Sequence, residues 1–271
     1  MQKVTLALVG LVVVASSFGC GGAPPPAAAP PLAKPAEAPK LEAQATKTEK
    51  PKDEAPKDAL EVAPTVHKKV FENGAVRIFE VTFKPGEKVP LHGHPNSVVY
   101  VISGGKLNVT VPDKGTREQE LKAGAAVYLK AEAHSTENIG GTEVKFAMFE
   151  LKQRGAAAAP KGADPTTRKG FRSVFENDEV RVLEATFAKG AKVPAAVHPE
   201  HAVYVLAGGK LKFTDPSKGK DGVQEVDLTT GFGGYLPAQP RAIDNVGAGE
   251  VKLVMVEMKP DPAAEADKPK K

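Results

Sequence analysis

Residues 88–107 read KVPLHGHPNSVVYVISGGKL, and residues 192–211 read KVPAAVHPEHAVYVLAGGKL. Lys88-Val89-Pro90 returns as Lys192-Val193-Pro194, Val99-Tyr100-Val101 as Val203-Tyr204-Val205, and Gly104-Gly105-Lys106-Leu107 as Gly208-Gly209-Lys210-Leu211. All three pairs keep one offset of 104. The same offset relates residues 71–83 to residues 175–187, where 8 of 13 positions are identical. After a three-residue insertion near Lys220 the offset becomes 107, and Met148-Phe149-Glu150 meets Met255-Val256-Glu257. Matches at so many ordered points mark a duplicated unit.

Each copy reads as strands. Val76 to Phe83 is β-branched and aromatic with partial alternation, and Val98–Ile102, Leu107–Val111, Ala125–Leu129 and Val144–Leu151 have the same character. Pro85-Gly86, Gly104-Gly105, Pro112-Asp113-Lys114-Gly115 and Gly140-Gly141 punctuate them as turns. No window sustains a helical period. Many short strands with frequent turns predict an all-β fold of two tandem closed barrels or jelly rolls, an architecture that leaves few exposed edges.

Outward from the repeats the composition changes. Met1-Gln2-Lys3 and the apolar run Val4–Ala15 predict a signal peptide over 1–19, too short to span a bilayer. Ser17-Phe18-Gly19-Cys20 follows and resembles the lipobox of bacterial lipoproteins, in which the cysteine is acylated. Ser17 and Phe18 depart from that pattern. Cys20 is the chain's one cysteine, which excludes an intramolecular disulfide and any CxxC motif. Export and membrane attachment through this lipid are the expectation, with the outer membrane suggested by Gly21. Residues 20–66 are Pro, Ala, Lys and Glu with few large apolar side chains, and they predict a disordered tether. Its reach is roughly 40 Å as a flexible coil and up to roughly 140 Å as polyproline II. The tail 261–271 has the same character, and 154–169 joins the copies, so the predicted barrels span 67–153 and 170–260. With 37 Lys plus Arg against 33 Asp plus Glu, interleaved, the charge pattern is that of a solvated surface and not a nucleic-acid footprint.

Of six histidines, His92 and His94 are spaced to put both rings on one face of a strand. His134 begins a later strand and could converge on them. Three neutral imidazoles suit a divalent transition metal such as Zn, Fe, Ni, Cu or Mn. His67 precedes the first strand and receives no role.

Gly86, His92, His94 and Gly104 resemble the first motif of the cupin superfamily, and Gly124, His134 and Asn138 resemble the second. The resemblance covers both repeats and implies two double-stranded β-helix barrels, a bicupin. It also implies one metal held by His92, His94 and His134 in the first barrel. The family's metal-binding Glu is missing: Ser97, Val98 or Val99 stands there. In the second copy Ala196 replaces the first His, His198 is kept, His201 stands at the Ser97 position, and Arg241 replaces His134. A permanently charged guanidinium disfavours a divalent cation, so no metal is expected in the second barrel. Two roles stay open for that half: a structural one, packing on the first barrel, and an anion site formed by His198, His201 and Arg241.

Three function classes remain. The leading one is an envelope-anchored module that binds a small molecule and a metal. The second is a metal-dependent oxygenase or isomerase, for which Glu80 and Tyr128 are the acid–base candidates if they face inward. The third is a structural or interaction protein with relic sites.

Overall fold

The computed structural model describes residues 56–153, 155, 166 and 168–260. The predicted signal peptide, Cys20 and the tail 261–271 lie outside these residues, as do most of the tether and the linker.

The first copy begins with one helical turn, α1 (Ala59–Val62), capped by the Asp58 side chain on the Leu60 amide. Five strands follow: β1 (His67–Glu72), β2 (Val76–Phe83), β3 (Lys88–His94), β4 (Ser97–Ser103) and β5 (Gly105–Val111). Four more complete the copy: β6 (Gly115–Leu121), β7 (Ala126–Leu129), β8 (Glu132–Asn138) and β9 (Val144–Leu151). They form one sheet of order β1-β2-β9-β4-β7 and another of order β3-β8-β5-β6, all antiparallel. The second copy repeats the plan with β10 (Phe171–Glu176), β11 (Val180–Phe187), β12 (Lys192–His198), β13 (His201–Ala207) and β14 (Gly209–Thr214). It continues with β15 (Val223–Leu228), β16 (Gly233–Leu236), β17 (Gln239–Asn245) and β18 (Val251–Met258). The insertion near Lys220 is taken up by a 3-10 segment, Pro216–Gly222, between β14 and β15.

The partial alternation of the central strands has a physical cause: both faces are buried. Along β2 the odd positions Phe79, Val81 and Phe83 enter the first barrel's core, while Val76 and Ile78 face the other barrel. Strand β4 divides likewise, with Val99 and Val101 inward and Val98 and Tyr100 outward. In the second copy Leu183, Ala185 and Phe187 line the core, and Val180 and Val182 meet the first barrel. The two five-stranded sheets therefore stack through one shared apolar layer. Burial on two faces removes the polar positions that would otherwise make a period of two.

Two motif residues are structural. Asn138 closes a turn, donating to the carbonyls of Phe83 and Thr142 and accepting from the Gly140 amide. Gly86, at φ 76°, supplies a left-handed turn that a side chain would strain.

The tether ends earlier than its composition predicts. Residues 56–66 pack on the first barrel: Ala59 and Val66 are buried, and the Gly93 amide donates to the Lys57 carbonyl at 2.9 Å. A Cβ on Gly93 would stand 2.9 Å from Pro56, so the glycine between the two histidines is what admits this strap. The second barrel also starts earlier, because Arg168, assigned by composition to the linker, stacks over Phe171 and bonds to His198.

Candidate metal centre

The sequence alone would put Val89 on the opposite face of β3 from His92 and His94. All three are nonetheless buried. The β3–β8 pairing shifts register between Val89 and His92, a bulge at Pro90-Leu91 that reverses the parity of the strand. Proline suits this place because it has no amide to leave unpaired. The bulge also frees the Pro90 carbonyl, which accepts from His92 Nδ1 at 2.8 Å. His134 stands opposite His92 in register on β8.

Four imidazoles meet here. Ring centroids are 4.7 Å apart for His92–His94 and for His92–His134, and 5.4 Å for His94–His134. His67, the first residue of β1, joins at 5.4 Å from His92 and 5.6 Å from His94. The tightest nitrogen grouping is His67, His92 and His94, whose ligand atoms all lie within 4.8 Å of one another. Of the three histidines read from the sequence, His134 falls outside this grouping, and His67, from outside the motifs, stands in it instead.

Each of these three has its Nδ1 committed. His67 donates to the Ala63 carbonyl at 3.3 Å, His92 to Pro90, and His94 to Glu150 Oε1 at 2.7 Å. A carbonyl can only accept, so the proton of His67 and of His92 sits on Nδ1 and the lone pair on Nε2. His94 Nε2 is buried with no hydrogen-bond partner among the described residues. Ser97 Oγ, at the place of the missing family Glu, is likewise buried and unpartnered. An unpaired buried polar atom costs about 1–3 kcal/mol. Both residues line a cavity of about 240 Å3 together with His67, His92 and His134.

Behind His94 runs a chain of charges. Glu150 is buried, accepts from His94 on one oxygen and from Arg77 Nε at 2.6 Å on the other, and Arg77 reaches Asp58 of the strap at 2.6 Å. A carboxylate behind a ligand histidine fixes the tautomer and raises its basicity. Burial, reinforced by the neighbouring imidazoles, pushes His67 and His134 down to about 3, and burial also lowers His92. Neutral imidazoles with free Nε2 lone pairs are what a transition metal requires, so the donor set fits one.

Residues 79–150 match the family model described as "Cupin domain". The first barrel is a cupin domain. The chain is similar to an oxalate decarboxylase at TM-score 0.53 and 14% identity, over 71% of this chain and 72% of that one. A variant of the Bacillus subtilis oxalate decarboxylase gives TM-score 0.50 at 14% identity, covering 71% of this chain and 75% of that one. A cupin domain from Bordetella pertussis is 26% identical, covering 32% of this chain and 93% of its own, at TM-score 0.31. The likeness to the decarboxylases is one of fold. No curated protein matches the chain.

The second barrel keeps the charge relay and loses the ligand set. His198 Nδ1 faces Glu257 at 3.3 Å, and Arg181 stands 3.9 Å from the same carboxylate, as Arg77 stands to Glu150. Phe171 replaces His67, Ala196 replaces His92 and Arg241 replaces His134. Where His94 Nε2 is unpaired, His198 Nε2 lies 2.6 Å from Arg168 Nη2 and accepts its proton. His201 donates from Nδ1 to the Pro199 carbonyl at 2.7 Å, and burial pushes it down to about 3. Its Nε2 is then an acceptor, so neither His201 nor His198 has a proton to offer an anion. Arg241 is the buried cation of the three residues singled out in this copy.

The acid–base candidates commit elsewhere. Glu80 faces the other barrel, accepting from Tyr204 and pairing with Lys145 at 3.2 Å. Tyr128 lines the first cavity, but its hydroxyl donates to Glu179 at 2.6 Å. His67 and Glu150 have no place in the sequence motifs. Glu150 had a signal: an acid in an apolar strand, repeated as Glu257. His67 had none from the repeat, whose second copy carries Phe171 there.

Proposed function

We propose that the first cupin barrel binds one divalent transition metal through Nε2 of His92, His94, His134 and His67, and that the chain is an envelope lipoprotein serving as a metal-centred small-molecule binding module. The observation that carries this is His94 Nε2, buried and unpaired among three other imidazoles while its Nδ1 is held by Glu150. An all-imidazole set favours Zn, Cu, Fe or Ni over Mn, which prefers carboxylates. His67 takes up the loss of the family's Glu with a neutral ligand, so Glu150 and its Arg77 partner supply the anion at one remove. When bound, the metal would act as a Lewis acid or redox centre. The protein's share is to hold neutral ligands and to keep the 240 Å3 cavity shaped for a small ligand. A binding role is favoured over catalysis because Glu80 and Tyr128 are both engaged outside the cavity chemistry.

The test is metal analysis of the full chain purified from the envelope, with His92→Ala and His94→Ala beside it. One equivalent of metal, lost in both variants, is expected. Substoichiometric metal unchanged by either substitution would overturn the reading. For the anchor, Cys20→Ser should move the protein from the membrane to the soluble fraction. Retention in the membrane would sink that part alone.

A further inference from the structure

The second barrel encloses the larger cavity, about 430 Å3 against 240 Å3, within the range of organic ligand pockets. Comparison of the copies says why. Gly234 stands where the first barrel has Val127, which removes an inward side chain from the wall. Ile243 replaces Thr136 and Val226 replaces Gln119, so the wall also becomes more apolar. At the histidine end the opposite happens. Arg241 replaces His134, and Arg168 enters from before β10 to bond His198.

Two guanidinium groups stand at that end, with Glu257 acting on Arg168 and Asp215 on Arg241 through charge and not through a hydrogen bond. Glu257 is matched by Arg181, and Asp215 by Lys218 at 3.7 Å. Among the described residues no carboxylate is hydrogen-bonded to Arg168 or Arg241. The Arg241 side chain is buried and donates to the carboxamide oxygen of Gln239. Arg168 Nη1 is buried without any partner. Burial depresses both guanidinium groups from their usual range, and the carboxylates near them, Glu257 for Arg168 and Asp215 for Arg241, offset this only in part.

We infer that the second barrel is a metal-free pocket for a small amphipathic carboxylate, its charged end against Arg241 and its apolar body against Phe187, Val203, Ile243, Leu253 and Met255. Arg168 has two effects. It occupies the His198 lone pair that a metal would need, and it adds positive charge to the end where the carboxylate sits. His198 and His201 act as acceptors and walls, leaving the guanidinium of Arg241 as the principal donor to the anion.

The experiment is calorimetric titration of the full chain carrying Cys20→Ser, which avoids detergent, with octanoate and with octanamide as its neutral counterpart. Octanoate should bind at least about tenfold tighter than octanamide, as the loss of one charge-assisted hydrogen bond implies. Arg241→Gln should weaken octanoate by a similar factor, and Arg241→Lys should restore part of it. Gly234→Val refills the wall as in the first barrel and should weaken both probes, whereas His92→Ala should change neither. The inference fails if octanamide binds as well as octanoate, or if neither probe saturates below about 1 mM. It also fails if Gly234→Val, which fills the wall once the exposed Phe232 ring 3.1 Å from the new Cβ gives way, leaves binding intact.

Discussion

The phenol of Tyr100 in the first barrel donates to Glu184 in the second at 2.6 Å, and the duplication returns the same bond with the barrels exchanged, from Tyr204 to Glu80. The interface between the barrels is therefore related by pseudo-twofold symmetry, and each sheet presents the same patch to its copy. Burial and the Glu184 carboxylate both hold Tyr100 protonated, well above the ordinary phenol range. Together with the Tyr128 and Lys130 bonds to Glu179, the two polar pairs tie the register of the apolar layers.

Removing one hydroxyl should therefore cost more than a surface bond. Tyr100→Phe leaves Glu184 with Arg172 at 3.0 Å and Lys252 at 2.9 Å, so the carboxylate is not stranded. A loss of about 1–2 kcal/mol is expected, with a similar loss for Tyr204→Phe. Urea denaturation should show a lower midpoint at unchanged slope for both. Equal stability of wild type and both variants would mean that the pairs contribute nothing net.

Glu150→Gln tests the charge relay behind the metal centre. The amide keeps the volume and can still accept from His94, but it removes the buried negative charge. Metal affinity should fall by about 10–100-fold, measured by competition with a chelator of known affinity. Arg77 then loses its buried partner and keeps Asp58, which is half exposed, so some stability should be lost as well. Unaltered metal affinity would show that His94 is oriented by packing alone.

His67→Phe asks whether the fourth imidazole is a ligand or a wall. The second barrel carries Phe171 at this place, buried against Phe187 at 5.7 Å, so the fold accommodates the ring. Thermal stability of the metal-free protein should change little. Metal should bind more weakly by about tenfold or more, on the scale of one lost coordinating or supporting group. Undiminished affinity would restrict the ligand set to His92, His94 and His134.

The fold was legible because the duplication doubled every signal: one weak strand pattern is ambiguous, and two in register are not. Burial of Val76, Ile78, Val98 and Tyr100 between the barrels explains why alternation was only partial in the strands that matter most. The histidine pair was legible from its spacing, although the bulge at Pro90, and not simple alternation from Val89, is what turns it inward. His67 and Arg168 were not: His67 stands at the very start of the barrel, ahead of its first predicted strand and outside both motifs, and Arg168 lies in the segment whose composition reads as linker. Their positions depend on tertiary packing: the strap over Gly93 in one case and the stack on Phe171 in the other.

Acid should destabilise the metal-free protein through its buried imidazoles. His67, His134 and His201 are pushed down to about 3 in the folded chain, while an unfolded histidine titrates near 6.5. Between these values the unfolded state binds more protons, so stability is full above pH 6.5 and declines as pH falls towards 3. Each such group contributes a slope of up to about 1.4 kcal/mol per pH unit in that window. Because carboxylates also titrate at the acid end, the diagnostic region is pH 6.5 to 5. His201→Ser installs the first barrel's residue at a place outside the metal centre. It should reduce the slope there by about one group's worth, read from urea midpoints across the range. An unchanged slope would mean that His201 gains its proton in the folded barrel as readily as in the unfolded chain, against its burial and its bond to Pro199.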